Sequence, residues 1–387
     1  MWISPKGSCV TESHLIQSVM TYEALLTEDW DHVVERLGGA SGVDFLARQN
    51  GALRRCRGIK TAADLLRIIL SYCLGKRGLR ATTAWAATTG LMDISNVALL
   101  RRLRNSGDWL AALISHLIDV EAPSAAQGRL IRIIDGTSVP QAGPQARKDS
   151  KLWRIHSAFD LPSERFTHFE LTDEKEGERL DRIPVVAGEI RLADRAYLQP
   201  DRLAAVLAAG ADVVVRAGWK SARWLDGAGN PLDLISILRE NAISGIIDRP
   251  VHIRRKNGPA LPLRLVAVKK PAAAAEQARA AARRNAQREG YSLSQSALEA
   301  ADWVILVTSL YPDEYAANDV LDLYRLRWRI ELAFKRLKSL VGLTAPPGFS
   351  EESAKPFILA HLLMVLLLEP LIDGPEISPR SANAQAA

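Results

Sequence analysis

The chain has 387 residues, of which 48% are hydrophobic, with 50 Lys and Arg against 44 Asp and Glu for a net charge of +6. That length exceeds one small domain and suits two or three, while Cys9, Cys56 and Cys73 are too few and too scattered for a disulfide scaffold or a cysteine metal site. The longest apolar run, Phe357–Leu368, has twelve residues. A bilayer-spanning helix needs about twenty, so a soluble protein with no membrane partner is expected.

Charge is unevenly placed. Residues 51–107 carry eleven Lys or Arg against Asp64 and Asp93, and residues 249–290 carry eleven against Glu276 and Glu289. Basic blocks of this kind suit a polyanionic partner such as nucleic acid.

In chain order, a helix is expected around Asp29–Leu37. Thr61 with Asp64 three residues on forms a capping-box signal, opening a helix through Leu74 that Gly75 ends. Another helix is expected near Ala81–Thr88, and Ser95 caps a further one at Asn96–Asn105. Its Val97, Leu100 and Leu103 are read as inward, its Arg101, Arg102 and Arg104 as outward. Gly107 breaks it before Asp108–Ile118. Residues 1–120 are thus expected as an all-α, helix-turn-helix-like DNA-binding domain. A plain bundle with a solvated basic face is the alternative.

Glu121–Gln127 reads as a linker, after which the pattern changes to strands. Leu130–Ile134 is a short apolar run stopped by Asp135-Gly136. Leu152–Phe159, Phe166–Thr172 and Glu189–Ala193 follow as strands, the last ending at Asp194. Asp201–Ala209 reads as a helix and Asp212–Arg216 as a strand, which gives a mixed α/β sheet over 128–216. Residues 217–300 are expected as an inserted, mainly β subdomain: turn chemistry at Trp219–Asn230, alternation at Val251–Val268, then an Ala/Arg helix at Ala272–Arg288. The core resumes over 301–373 with the buried strand Trp303–Leu310 and a helix from about Ala317. Residues 374–387 are expected to be disordered.

On that late helix Tyr324, Arg327, Glu331 and Lys338 recur at steps of three, four and seven, which return to roughly one helical face. One carboxylate is thereby set among cations and a phenol. Asp135 and Asp194 each follow a strand directly. Three carboxylates converging at one end of a sheet would suit Mg²⁺ or Mn²⁺, which prefer hard oxygen ligands, and two such ions about 4 Å apart drive in-line attack on a phosphodiester. Taken singly, Asp135 before Gly is an ordinary turn former and Asp194 beside Arg195 an ordinary ion pair.

The order DGT at Asp135, DRAY at Asp194 and the Tyr-Arg-Glu-Lys helix at Tyr324–Lys338 resembles the DDE transposases of insertion-sequence family 4, over roughly residues 95–370. The resemblance implies an RNase H-like catalytic fold with Asp135, Asp194 and Glu331 as metal-binding triad. It implies that Tyr324, Arg327 and Lys338 grip the phosphates of the element's end. It also implies a mostly β insertion between the second Asp and the Glu, where 136 residues lie here. Trp303 and Trp328 match positions that capture a flipped base in some relatives, with plain packing as the alternative for each. His156 and His168, on strands near the triad, are left outside the site.

The sequence departs from the pattern in two places. The second motif usually reads Asp-Arg-Gly-Tyr, whereas residue 196 is Ala, and little chain follows Leu368. The expected function is cut-and-paste transposition by a homodimer that binds double-stranded DNA, both the terminal inverted repeats and the target. The expected setting is the bacterial cytoplasm at the nucleoid. Two alternatives stand beside it: a noncatalytic transposase-derived DNA-binding protein, and an RNase H-like nuclease or resolvase without strand transfer.

Overall fold

The computed structural model describes residues 26, 29–75, 77–120, 128–142, 151–163, 165–340, 342–347 and 350–372. Cys9, the linker at Glu121–Gln127 and the tail 374–387 lie outside the described residues. The described residues fall into two compact units, one drawn from 1–121 with 337–387 and the other from 122–336.

The first unit is helical: α1 (Trp30–Arg36), α2 (Gly39–Gln49), α3 (Ala62–Leu74), α4 (Leu79–Thr88), α5 (Asn96–Arg104), α6 (Gly107–Val120) and the closing α13 (Glu351–Ile372). The capping box at α3 forms as read: the Asp64 amide donates to Thr61 Oγ1 at 3.0 Å and the Thr61 amide to Asp64 Oδ2 at 3.2 Å. Ser95 Oγ accepts from the Ala98 amide at the start of α5. The facing of α5 differs from expectation, because Leu99 and Leu103 are buried while Val97 is 54% exposed. A nine-residue helix has room for few inward positions, and the pair at i, i+4 takes them.

The apolar run 357–368 was expected to complete the catalytic core. It belongs instead with the N-terminal helices, where α13 packs on α6 and α3. Arg36 donates to the Leu367 carbonyl at 2.6 Å, and Lys355 pairs with Asp108 at 2.7 Å. With Ile358, Leu362, Leu363 and Leu367 fully buried, α13 forms the apolar spine of that unit.

The second unit is built on a nine-stranded mixed sheet: β1 (Ile131–Pro140), β2 (Leu152–Asp160), β3 (Arg165–Asp173), β4 (Ile190–Ala193), β5 (Asp212–Arg216), β6 (Trp224–Leu225), β7 (Ile246–Ile253), β8 (Leu261–Lys269) and β9 (Trp303–Thr308). Their order is β3-β2-β1-β4-β5-β9-β8-β7-β6. The first three strands pair antiparallel, and β4 and β5 run parallel to β1. Val213, Val214 and Val215 of central β5 are wholly buried. Side chains of this size contribute about 1.5–3 kcal/mol each when fully buried.

Helices α7 (Pro200–Ala208), α8 (Leu234–Glu240), α9 (Ala272–Glu289), α10 (Gln295–Ala301), α11 (Ala317–Arg325) and α12 (Trp328–Leu340) complete the described elements. Segment 217–300 is neither separate nor mainly β. Its strands extend the same sheet beyond β9, and α8, α9 and most of α10 hold more of its residues than the strands do. The antiparallel β8–β9 pairing joins them, from Arg264↔Thr308 to Lys269↔Trp303.

Strand β4 carries a buried charge that its sequence gave no reason to expect. Arg191 is fully buried and pairs with Glu189, also fully buried, at 2.6 Å. The remaining guanidinium N–H groups donate to the carbonyls of Leu180, Ile183 and Pro184, the last two at 3.0 and 2.6 Å. Arg191 thus helps to hold the irregular segment between β3 and β4 against the sheet. Replacing Arg191 leaves buried Glu189 with Arg132, 3.2 Å away, as its remaining cation, and strips three carbonyls of their donor. Arg191→Met is therefore expected to destabilise the protein by about 3–5 kcal/mol, read as a lowered midpoint in urea denaturation. A loss under about 1 kcal/mol would contradict this account.

Candidate active site

The parallel β1–β4 pairing ends at Ile134↔Ala193, so the next residues on the two strands are Asp135 and Asp194. Strand β1 does not stop at Asp135, as expected, but continues to Pro140 because β2 pairs along its whole length. Asp135 therefore sits mid-strand, at the point where the parallel neighbour leaves the sheet. Its backbone is opposite Ser157, whose hydroxyl donates to the Asp135 carbonyl at 3.2 Å.

Asp194 caps a 3-10 turn at Arg195–Tyr197, and its Oδ1 accepts the Ala196 amide at 2.8 Å. Ala196 thus occupies a turn that any L-residue can adopt. Loss of the usual glycine costs nothing in this geometry.

The signature helix is not continuous. It divides into α11 and α12 at Leu326-Arg327, so Tyr324 lies in the last turn of one helix and Glu331 in the first turn of the next. Arg327 occupies the corner, with its side chain 18% exposed. Its Nη1 donates to Asp135 Oδ2 at 3.1 Å and its Nη2 to Glu331 Oε1. Glu331 is placed by Phe334 one helical turn on, whose ring packs 5.6 Å from Phe166 of β3. The Tyr324 phenol is half-buried beside Arg327, Arg216 and Asp194, and burial pushes its pKa up. Lys338 lies on α12, with its side chain outside the described residues.

The remaining expected contacts divide. Trp328 is 53% exposed directly after the Arg327 corner, whereas Trp303 is 5% exposed within the core of the second unit. The Trp303 ring has no open face on which a base could stack in this conformation. In the helical unit, Arg102 donates to the carbonyls of Arg55 and Arg57 at 3.2 and 3.0 Å, and Arg104 to Ser353 Oγ at 3.2 Å. Arg101 is exposed. Arg101 and Arg104 thus face outward as expected and Arg102 is half-buried, while Arg102 and Arg104 both bond within the unit. His156 is buried and bonded to Thr172 Oγ1 at 2.8 Å, and burial lowers its pKa to about 4. It is a structural neutral ring.

Two groups were missed. Glu178, in the segment pinned by Arg191, is half-buried, and its pKa is raised by burial and by the Asp194 charge. Tyr197, 1% exposed, points its hydroxyl among Asp135, Glu178 and Asp194 with no hydrogen-bond partner. Nothing in the acidic stretch DEKEGERL distinguishes Glu178 from Glu174 or Glu176. The Tyr of DRAY was the available signal.

These groups form a carboxylate-rich centre whose described conformation is neutralised by a guanidinium. Among the described residues, no three acids or histidines are gathered into a ready metal cage. Arg327 instead takes a cation's position between Asp135 and Glu331. Hard oxygen donors of this kind suit a divalent cation, and Asp135 and Glu331, which share Arg327 here, are the carboxylates that would have to hold it.

The Asp135 carboxyl is shifted by its burial. Its pKa is pushed up to about 6, chiefly by burial. The Gly136 amide and Arg327 oppose the rise, while the Asp194 and Glu178 charges add to it. A folded-state pKa above the ordinary 3.8 means that the fold favours the neutral acid. This contribution to metal-free stability is present below 3.8 and is lost as pH rises to about 6. Asp135→Asn should therefore raise the metal-free thermal midpoint at pH 7 and leave it nearly unchanged near pH 4. A lowered midpoint at pH 7 would mean that the Arg327 pair outweighs burial.

Comparison with known proteins agrees with the geometry. The family model described as the transposase DDE domain matches residues 126–367. The putative transposase InsL for insertion sequence element IS186A of Escherichia coli (strain K12) is 38% identical over 366 residues, covering 92% of this chain and 98% of that protein. The transposase for insertion sequence element IS421 of Escherichia coli is 38% identical over 367 residues, with the same shares covered. A carboxylate pair fixed by strand register, an Arg-Glu corner on a split helix and these relatives lead to one assignment: the chain belongs to the DDE transposases of the insertion-sequence family 4 type, enzymes of DNA transposition that depend on divalent metal.

Proposed function

We propose that the protein binds the terminal inverted repeats of its own element, cuts them by metal-assisted hydrolysis and joins the freed 3′-OH to target DNA. Asp135, Asp194 and Glu331 would hold the cations. The observation that carries this reading is the Arg327 bridge, which ties Asp135 to Glu331 across 196 positions of sequence, while the β1–β4 register brings Asp194 beside Asp135. The mixed sheet, with three antiparallel strands and then two parallel to β1, and with Asp135 and Asp194 where the β1–β4 pairing ends, supports an RNase H-like core.

Mg²⁺ or Mn²⁺, as a pair, would supply activation of the attacking oxygen and charge stabilisation at the leaving one. The protein's own groups do the rest. Arg327 releases the carboxylates and turns to a backbone phosphate, for which its planar fork is suited. Tyr324 and Lys338 hold neighbouring phosphates. Exposed Trp328 offers an aromatic face to an unstacked base. The helical unit supplies end recognition through Arg101 and its basic surroundings. Two copies pair two ends as a homodimer, and the reaction takes place on the bacterial nucleoid.

The test is labelled DNA carrying the element's terminal repeat, incubated with Mg²⁺ or with EDTA. Nicking at the repeat boundary should require the metal and disappear in Glu331→Gln, with end binding nearly intact. Normal cutting by that variant would refute the triad. Binding without cleavage under either ion would favour a noncatalytic DNA-binding descendant, and hydrolysed but never joined products a nuclease or resolvase.

For the helical unit, Arg101→Ala should weaken end binding and lower the slope of log affinity against log salt by about one, the signature of one lost phosphate contact. An unchanged slope in a fluorescence-anisotropy salt titration would remove Arg101 from the interface.

A further inference from the structure

The acidic centre holds more than the three carboxylates of the motif. Glu178 lies on the irregular segment between β3 and β4, and four separate groups fix that segment. Arg191 takes the carbonyls of Leu180, Ile183 and Pro184. Gln199, two residues after the DRAY tyrosine, donates to the carbonyl of Glu178 itself at 2.7 Å. Arg154 of β2 donates to the Glu176 carbonyl at 3.0 Å, and Arg182 binds Glu170 at 2.7 Å as well as the Glu176 carboxylate. A segment without regular hydrogen bonding is thereby held as firmly as a strand.

What it delivers is a carboxylate over Gly136. A methyl group on that residue would stand 3.3 Å from Glu178 Oε1 and 3.6 Å from the Tyr197 hydroxyl, so both oxygens converge on the bare α-carbon next to Asp135. The first distance is tighter than side chains normally tolerate. The glycine of DGT is what lets these oxygens approach. Tyr197 supplies the independent sign of a missing ligand. Its side chain is 1% exposed, its hydroxyl is aimed into the cluster, and that hydroxyl has no partner. Leaving a buried hydroxyl unpaired is unfavourable, so it marks a place where a further hydrogen-bonding group belongs.

We propose that Glu178 is a fourth carboxylate of the divalent-cation site, and that the Tyr197 hydroxyl orients the oxygen ligands on the Gly136 side of it. This rests on the metal-dependent reading of Asp135, Asp194 and Glu331 given above. Glu178 adds negative charge close to Asp135 and Asp194, which strengthens cation binding and repels those groups when no cation is present. Arg154 restrains the repulsion without forming a close ion pair with Glu178 among the described contacts. Groups that orient or support metal ligands typically change affinity by about 10–100-fold when altered.

The test uses the full-length protein with Mn²⁺ alone as probe. Affinity is read by isothermal titration calorimetry and metal-free stability by thermal midpoint, for wild type, Glu178→Gln, Tyr197→Phe and Asp135→Asn. Glu178→Gln is expected to weaken Mn²⁺ binding by about tenfold or more while its metal-free midpoint stays level or rises, because the amide removes a repelling charge. Tyr197→Phe is expected to weaken Mn²⁺ binding by a smaller factor. Wild-type affinity in both variants, with affinity lost in Asp135→Asn, would overturn this proposal and leave the triad standing. A lowered metal-free midpoint in Glu178→Gln with unchanged Mn²⁺ affinity would reduce Glu178 to a structural partner of Arg154 and also overturn it. Undiminished affinity in Asp135→Asn would overturn the metal reading itself.

Discussion

The guanidinium of Arg327 solves a problem that the rest of the second unit creates. Strand register brings Asp135 beside Asp194, an anchored segment adds Glu178, and a packed helix turn adds Glu331. Without a counter-charge these acids would repel one another in partly buried surroundings; the Asp135 pKa, raised chiefly by burial, is held back by the Gly136 amide and by Arg327. Arg327 spans two of them. It can do so because α11 ends at Arg325 and α12 begins at Trp328, which leaves the arginine at a corner instead of on a helix face. The same corner exposes Trp328 and leaves Tyr324 half-buried. One bend in the chain thus arranges a cation, a carboxylate and two aromatic groups.

Much of this architecture was legible in the residues. Caps at Thr61 and Ser95 rest on side-chain-to-amide bonds local to a few residues, and such bonds form whatever the surroundings. The buried strands at Asp212–Arg216 and Trp303–Thr308 read correctly because continuous apolar runs leave few alternatives. Asp135, Arg327 and Glu331, scattered through the sequence, are brought into contact, and the β1–β4 register puts Asp194 at Asp135's side.

What was illegible depended on long-range pairing. Asp135-Gly136 looks like a strand terminator in isolation, yet β2 carries β1 through it, because an antiparallel partner offers hydrogen bonds that local propensity cannot anticipate. Steps of three, four and seven implied one helical face, but they are silent about a corner at Leu326-Arg327. Segment 217–300 looked separate by composition, and only pairing with β9 shows that it continues the sheet. Arg102 looked fully solvent-facing, and only the distant carbonyls of Arg55 and Arg57 show why it is half-buried. Glu178 could not be singled out because its importance comes from Arg191 and Gln199, each far from it in kind if not in sequence.

The order of strands has a consequence for how copies of this protein meet. The sheet ends on one side at β3, which carries Arg165, His168, Glu170 and Asp173, and on the other at β6, only two residues long. Charged side chains along one border and a stub at the other are the features that discourage strand addition between molecules. A filament or dimer zipped through continuous backbone hydrogen bonding is therefore disfavoured. Any contact between copies would then have to be made by side chains and not by a shared sheet.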